Sequence, residues 1–228
     1  MKRLLRFALV LVALIAIGAF VLWRVSRTPP AWYQPPNVRD PAVNELAETV
    51  ENRMVELAQK VRPRAEQWSL RVRENQINAW LAARLPKWIA NQGDTEWAAD
   101  RIPVQVRLES GAISMAAAVE RGQSARTVVA RIQPTLEPGG LRLKLDSVAL
   151  GRIALPGEPL ANLLRIVEPM LPASFDLDEA RDILKVLDGS TLVEPEMNLA
   201  DGRRVRLIAL RIDDGVLEFT AETVGEYD

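Results

Sequence analysis

The hydrophobic pattern begins with an unbroken apolar run, residues 7–23, FALVLVALIAIGAFVLW. A helix from Leu4 to Trp23 would be about 30 Å long, which is close to the thickness of the hydrocarbon core of a bilayer. Basic residues are concentrated before the run, so the positive-inside rule predicts a cytoplasmic N-terminus and an extracytoplasmic remainder. We therefore expect residues 1–27 to form the cytoplasmic tip and transmembrane anchor of a single-pass inner-membrane protein.

A cleaved signal peptide is the alternative to an anchor, because it shares the basic start and the apolar stretch. The run is longer than the roughly 7–15 residues usual in a signal peptide, and its small residues, within 16–19, are followed by more apolar ones. Both features favour a signal-anchor. Trp23, Trp32 and Tyr33 are then candidates for the membrane interface, where aromatic rings concentrate. Trp32 and Tyr33 fit an ordinary linker equally well.

A proline-rich linker is predicted for residues 28–40. Five prolines fall within 28–41, and such a stretch favours extended polyproline conformation, which would hold a domain up to about 40 Å from the membrane. From Pro41 to Val61 apolar residues recur every three or four positions, which predicts a helix of about six turns with one apolar face.

The rest of the chain, residues 41–228, is predicted to form one extracytoplasmic domain. A short strand at 69–73 precedes a second helix, roughly Glu74 to Ala90, interrupted near Pro86. Beyond residue 100 apolar and polar residues alternate, which predicts four strands joined by short turns into an antiparallel meander with one wet face. The apolar positions of these strands are Ile102, Val104, Val106 and Leu108; Ile113, Met115, Ala117 and Val119; Val128, Ala130, Ile132 and Leu136; and Leu141, Leu143 and Leu145.

Two helices and a hairpin are predicted after the meander. Leu160, Leu163, Leu164, Val167 and Leu171 form one helical stripe, and Asp176 or Asp178 would cap a further helix that carries Ile183, Leu184 and Leu187. The strands 205–212 and 217–221 flank an Asp213-Asp214-Gly215 turn, a strong hairpin signal. The predicted fold class is α+β: an N-terminal single transmembrane helix, then a mainly antiparallel curved sheet packed on long helices.

Charge and missing residue types exclude several functions. Of the 29 basic and 30 acidic side chains, six basic and no acidic ones lie in residues 1–39, which leaves a net charge of −7 on the rest. An acidic domain without a basic stripe is a poor nucleic-acid binder. The chain has no Cys and no His, which excludes disulfides, thiolate chemistry, Ser-His-Asp triads and His-ligated metals. We expect no enzyme, no catalytic residue, no metal and no cofactor.

Carboxylates are the remaining candidate catalysts or Ca²⁺ ligands. They form two groups in the sequence, Asp176, Asp178, Glu179 and Asp182 and the pair Asp213 and Asp214. The first group lies where helix starts favour acidic residues, and the second lies in a hairpin turn. Neither has the spacing of an EF-hand loop. A structural role is therefore the preferred interpretation, and a carboxylate-based envelope hydrolase is the alternative.

An apolar binding face is the candidate functional site. Four of the six tryptophans, at 68, 80, 88 and 97, fall within thirty residues, and they suit either core packing or an apolar groove. Small residues on the apolar side of the sheet leave room for a bulky occupant, which is either one of the protein's own helices or a lipid chain. The predicted ligand-contacting residues are Trp80, Trp88, Met115, Ala117, Val119, Ala130 and Ile132.

Two motifs carry a resemblance to a known family. They are E-x-x-I-N-x-x-L, matched by Glu74, Ile77, Asn78 and Leu81, and L-G-x-x-x-L-P, matched by Leu150, Gly151, Leu155 and Pro156. With the apolar N-terminal run, the chain resembles the YpmS-type membrane-anchored bacterial envelope proteins over most of residues 40–225. The resemblance implies a tubular-lipid-binding-like (TULIP/SMP-like) fold, in which a curved sheet wraps a long helix, and it implies no catalytic residues.

The leading hypothesis from the sequence is a membrane-anchored envelope protein whose domain binds or shields lipid. Its partners would be the membrane, through the N-terminal helix, and lipid. The first rival is a scaffold or assembly factor for a membrane-protein partner, with a closed core and an exposed apolar patch. The second is the carboxylate hydrolase, which predicts a polar cleft.

Overall fold

The structure is a computed structural model that describes residues 2–91, 103–121, 124–168, 185–199 and 202–226, with the side chains of the first helix described from Leu14 onward. The helices are α1 Lys2–Arg27, α2 Pro41–Gln59, α3 Glu74–Ala83, α4 Leu85–Asn91 and α5 Pro159–Val167. The strands are β1 Gln67–Arg73, β2 Val104–Glu109, β3 Ala112–Arg121, β4 Ser124–Glu137, β5 Gly140–Leu150, β6 Ile153–Ala154, β7 Asp188–Val193, β8 Glu196–Asn198, β9 Arg203–Asp213 and β10 Val216–Glu226.

The fold is α+β with antiparallel sheets, as the alternating pattern predicted. Sheet A has the strand order β1-β10-β9-β8. Sheet B has the order β2-β3-β4-β5-β6, and β7 pairs with β5 next to β6. The predicted meander corresponds to β2–β5 and the predicted hairpin to β9–β10.

The predicted single sheet is wrong, because the strands divide into two sheets. The sheets meet at the tips of two hairpins, where Gly111 N donates to Ile212 O (3.0 Å) and Gly215 N donates to Leu108 O (3.0 Å). Asp214 Oδ1 accepts from Ser110 N (3.1 Å), so this turn carboxylate joins the two sheets. Alternation shows which residues form strands but not which strands pair, and β1 pairs with the distant β10.

The predicted helices at 41–61 and 74–90 are confirmed. Asp40 caps α2, since its carboxylate accepts from Ala42 N (3.0 Å) and Pro41 occupies the first turn. The second helix breaks at Arg84 rather than at Pro86, because Pro86 lies in the first turn of α4, where its missing N–H costs no hydrogen bond.

The transmembrane helix in the predicted fold class is wrong. In the part of the chain whose side chains the structure describes, no helix is long and apolar enough to cross a membrane.

Two buried apolar clusters hold the helices to each other and to sheet B. The first joins α2 to α3 through Ala47, Ala79 and Ala83, all at most 6% exposed. The second lies between sheet B and α5 and is described below. Most of the helix predicted after Asp176, with its carboxylates up to Asp182 and with Ile183 and Leu184, lies outside the described residues, as does Trp97.

Candidate functional site

The register of sheet B brings the five predicted strand residues of the site onto one face. Met115 pairs with Ala130, and Ile113 pairs with Ile132. Side chains two residues apart on a strand share a face, so Ala117 and Val119 lie on the same side. The five strand residues predicted from the sequence therefore share one face of sheet B.

Helix α5 covers part of this surface. Val128, Leu145 and Val148 are buried there, and the partly buried residues packed against them are Val119, Ala130, Ile132, Leu150, Leu155, Leu160, Leu163, Ile166 and Leu187. Three of the predicted ligand-contacting residues are thus packed beneath the protein's own helix. Met115 lies outside this cluster and is 40% exposed, so no described residue covers this part of the apolar face along β3.

The two predicted tryptophans lie on the helices. Trp80 belongs to α3 and is half-buried, and Trp88 belongs to α4 and is 56% exposed. Asn78 contacts strand β2, and a residue two positions further on in a helix points about 160° away from it. Trp80 therefore points to the other side of α3, and the structure does not join it to Met115.

The polar residues of the E-x-x-I-N motif pair with a strand edge. Asn78 Oδ1 accepts from Val106 N (2.7 Å), and Asn78 Nδ2 donates to Val106 O (2.8 Å). One turn earlier, Glu74 Oε2 accepts from Leu108 N (2.7 Å). Two side chains spaced by four residues thus form hydrogen bonds with the backbone groups at the edge of β2, as a neighbouring strand would. Their role here is structural.

The C-terminal end of α1 packs directly on the turn between β5 and β6. Arg152 Nε donates to Pro29 O (2.9 Å), and Gly151 N donates to Thr127 O on β4 (2.7 Å). A Cβ at Gly151 would lie 2.8 Å from Thr28 O and closer still to Ser26 O. Only glycine allows this approach. Gly151 lies in the turn between β5 and β6, and its contact with α1 has no signal in the sequence.

Residues 28–34, hereafter the strap, continue from α1 across sheet B. The Gln105 side chain makes two bonds to the strap backbone: Gln34 N donates to Oε1 (2.6 Å), and Nε2 donates to Trp32 O (3.1 Å). Tyr33 Oη donates to Pro103 O (2.6 Å), and burial raises the pKa of this phenol. The first half of the proline-rich segment therefore lies on the domain, where a free spacer was expected.

The two predicted interface aromatics of the strap are half-buried. Trp32 and Tyr33 meet edge to face, with ring centroids 6.4 Å apart. Trp23, by contrast, is 47% exposed on α1, stacks with Phe20 (5.8 Å) and has the Arg27 guanidinium 4.2 Å from its ring centroid. Trp23 is thus the most accessible of the three predicted interface residues.

Helix α1 is apolar and exposed on every side from Leu14 to Trp23. Seven large apolar residues are between 47% and 63% exposed: Leu14, Ile15, Ile17, Phe20, Val21, Leu22 and Trp23. At 100° per residue these positions are distributed around the whole helix. A helix that is apolar all round needs an apolar environment, and within the described residues only the end of α1 packs on the domain.

No acidic cleft is present among the described residues. Asp213 pairs with Arg211 (2.8 Å), Asp214 bonds the neighbouring turn, and Glu109 pairs with Arg131. The described side chains contain no group of three or more carboxylates that could hold a metal ion. A crevice between α2 and β1 has a volume of about 10 Å³, room for one water molecule.

Comparison with known proteins adds no relative: no family model, no curated protein and no solved structure matches the chain.

Proposed function

We propose that the protein is a membrane-attached lipid-binding protein, in which α1 lies in lipid and sheet B offers an apolar face to an acyl chain. The observation that carries the proposal is the exposed apolar surface around α1 from Leu14 to Trp23. It is directly followed by a helix end that is bonded to the domain, where Val25 O accepts from Arg152 N (3.4 Å). A lipid bilayer supplies the apolar environment that this surface lacks in the protein.

Attachment through the strap supports a fixed position of the domain. The bonds of Gln105, Tyr33 and Arg152 join the segment after α1 to both edges of sheet B. A sheet held in this way stays next to the lipid that surrounds α1. The predicted extracytoplasmic location and the cytoplasmic N-terminus stay predictions.

The partly uncovered strip along β3 supports acyl-chain binding. Met115 and its neighbour Ala117 form a shallow apolar strip beside the α5-covered cluster. Each methylene group removed from water contributes about 0.8 kcal/mol, so the binding free energy of an acyl chain rises with the number of methylene groups that the strip covers. The flexible thioether of Met115 suits an irregular occupant.

Replacing Met115 with Lys tests the lipid site. Because burying a methionine side chain contributes roughly 1.5–3 kcal/mol, we expect Met115→Lys to reduce bound lipid about tenfold. The measurement is native mass spectrometry with solvent extraction on the full chain purified from bacterial membranes in mild detergent. Met197→Lys is the matched control, since Met197 is 63% exposed on sheet A.

The two variants separate the possible outcomes of this experiment. Lipid retained by Met197→Lys and lost by Met115→Lys supports the proposed site. Equal lipid in wild type and both variants, or a folded wild-type chain without lipid, would show that sheet B does not bind it.

A scaffold for a membrane-protein partner is the second candidate function. The observation that favours it is exposed apolar surface away from sheet B, on Met54 and Val55 of α2 (48% and 46%) and on Trp88 (56%). A wild-type domain without lipid in the experiment above would favour this function.

A further inference from the structure

Strand β1 is an unprotected edge of sheet A. In the described part of the chain, the other edge strands are short, irregular or covered. Strands β6 and β8 have two and three residues, β7 pairs with β5 through a register shift, and side chains of α3 bond the edge of β2. Strand β1 is seven residues long and pairs on one side only, with β10. A long edge with free backbone groups is a template for pairing with another strand.

The free backbone groups of β1 belong to alternate residues. Arg73 N donates to Gln76 Oε1 (2.9 Å) and therefore points away from β10. Outward-pointing groups recur at every second residue of an antiparallel strand, so the N–H and C=O groups of Ser69 and Arg71 also point out of the sheet. Among the described residues these groups have no backbone partner. An added strand would meet two donors and two acceptors here.

Charges alternate across the solvent-exposed face of sheet A and end on a cation at this edge. Arg211 on β9 lies beside Glu218 on β10, and Glu218 lies beside Arg71 on β1. Opposite charges on neighbouring strands stabilise a sheet, and like charges directly opposite each other destabilise it. The next strand in this row would therefore be favoured by an acidic residue opposite Arg71.

The crevice between α2 and β1 lies where the other face of an added strand would pack. Leu70 and Val72 are buried at its β1 side, and Met54 of α2, which also lines it, is 48% exposed. Arg53 and Arg71 line the same crevice and are exposed. Since side chains alternate between the two faces of a strand, a strand with apolar residues towards Met54 presents every other side chain beside Arg71.

We propose that β1 binds an extended segment of a partner protein, in which acidic and apolar residues alternate, as a fifth strand of sheet A. The backbone groups of β1 supply affinity for any strand, and Arg71 and the crevice supply selectivity. A second copy of β1 is a poorer occupant, because it brings a further Arg71 and Arg73 to a basic edge. The inference goes beyond lipid binding by sheet B and does not depend on it.

The charge of the partner is tested with two fluorescent heptapeptides, one alternating Glu and Val and the other alternating Lys and Val. Each is titrated with the full chain in mild non-ionic detergent, and binding is followed by fluorescence anisotropy. We expect the glutamate peptide to bind at least about tenfold more tightly. Arg71→Glu should weaken its binding about tenfold, since one cross-strand charge pair contributes up to about fivefold and reversal makes it repulsive. Arg39→Glu, at an exposed position before α2, is the matched control and should bind like wild type.

Replacing Ser69 with Pro tests pairing with the backbone of β1. Proline lacks the outward N–H, and an edge strand tolerates it because no hydrogen bond to β10 is lost. We expect Ser69→Pro to weaken binding of the glutamate peptide about tenfold. Ser69→Ala is the control, because it keeps the N–H and removes only the hydroxyl, which lies 2.8 Å from Thr220 Oγ1; its binding should equal that of wild type.

Several results would overturn the proposed strand addition. They are binding of neither peptide, equal binding of both, or wild-type binding by Arg71→Glu or by Ser69→Pro. A wild-type chain that is a dimer by light scattering and a monomer as Ser69→Pro also overturns it, since a second copy then occupies the edge. None of these results changes the lipid measurement on Met115→Lys, so this inference and the proposed function fail separately.

Discussion

Asn78→Ala is expected to lower the free energy of unfolding by about 3 kcal/mol. Asn78 is 4% exposed and satisfies both the N–H and the C=O of Val106, which is itself only 5% exposed. Alanine leaves both backbone groups without a partner, and each unsatisfied buried group costs roughly 1–3 kcal/mol. The measurement is urea unfolding of the full chain in mild detergent, followed by circular dichroism.

The same substitution one turn earlier provides the control. Asn75 lies on α3 and is exposed, so Asn75→Ala changes the intrinsic helix propensity in the same way without affecting β2. We expect it to change stability by less than about 0.5 kcal/mol. A similar effect of both variants would contradict pairing between α3 and the edge of β2.

Gly151→Ala is expected to detach the end of α1 and the strap from sheet B. The new Cβ would lie 2.7 Å from Ser26 C and 2.8 Å from Thr28 O, both backbone atoms. Gly151 also has φ +60°, which costs a non-glycine residue about 1 kcal/mol or more. We expect a total loss of at least about 2 kcal/mol, with faster tryptic cleavage after Arg27.

Gly111→Ala separates the cost of the positive φ from the effect of the steric contact with α1. Gly111 has φ +74°, and a Cβ there would meet nothing within 4 Å. It therefore carries the conformational cost without the close contact, and cleavage after Arg27 should keep its wild-type rate. Equal cleavage rates in Gly151→Ala and wild type would show that the helix end does not depend on this contact.

The parts of the fold that follow from local pattern were predictable from the sequence. Period-two alternation identified β2–β5 and the β9–β10 hairpin, and three–four spacing identified α2. Strands β6 and β8 have two and three residues, which is too short to show an alternation of apolar and polar residues. The division into two sheets depends on pairings between distant strands, such as β1 with β10, for which the alternation carries no information.

The candidate site shows the same limit. Alternation placed Met115, Ala117 and Ala130 on one face correctly, because side-chain direction in a strand is local. Whether a helix or a ligand covers that face depends on where later segments of the chain pack. Helix α5 packs on part of the surface. The roles of Asn78 and Gly151 arise from contacts with β2 and α1, far away in the sequence. The two sequence motifs include Asn78 and Gly151 but do not indicate which segments these residues contact.

The fixed connection between α1 and sheet B is tested most directly by a distance measurement across it. The chain contains no cysteine, so Leu22→Cys and Thr135→Cys give two unique sites for spin labels, one exposed on α1 and one exposed on β4. Double electron–electron resonance on the full chain in lipid should give one narrow distance distribution, because the strap is bonded to the sheet. A freely jointed linker of residues 28–40 would instead spread the ends over roughly 20 Å. A distribution that broad would contradict a domain held in a fixed position at the lipid.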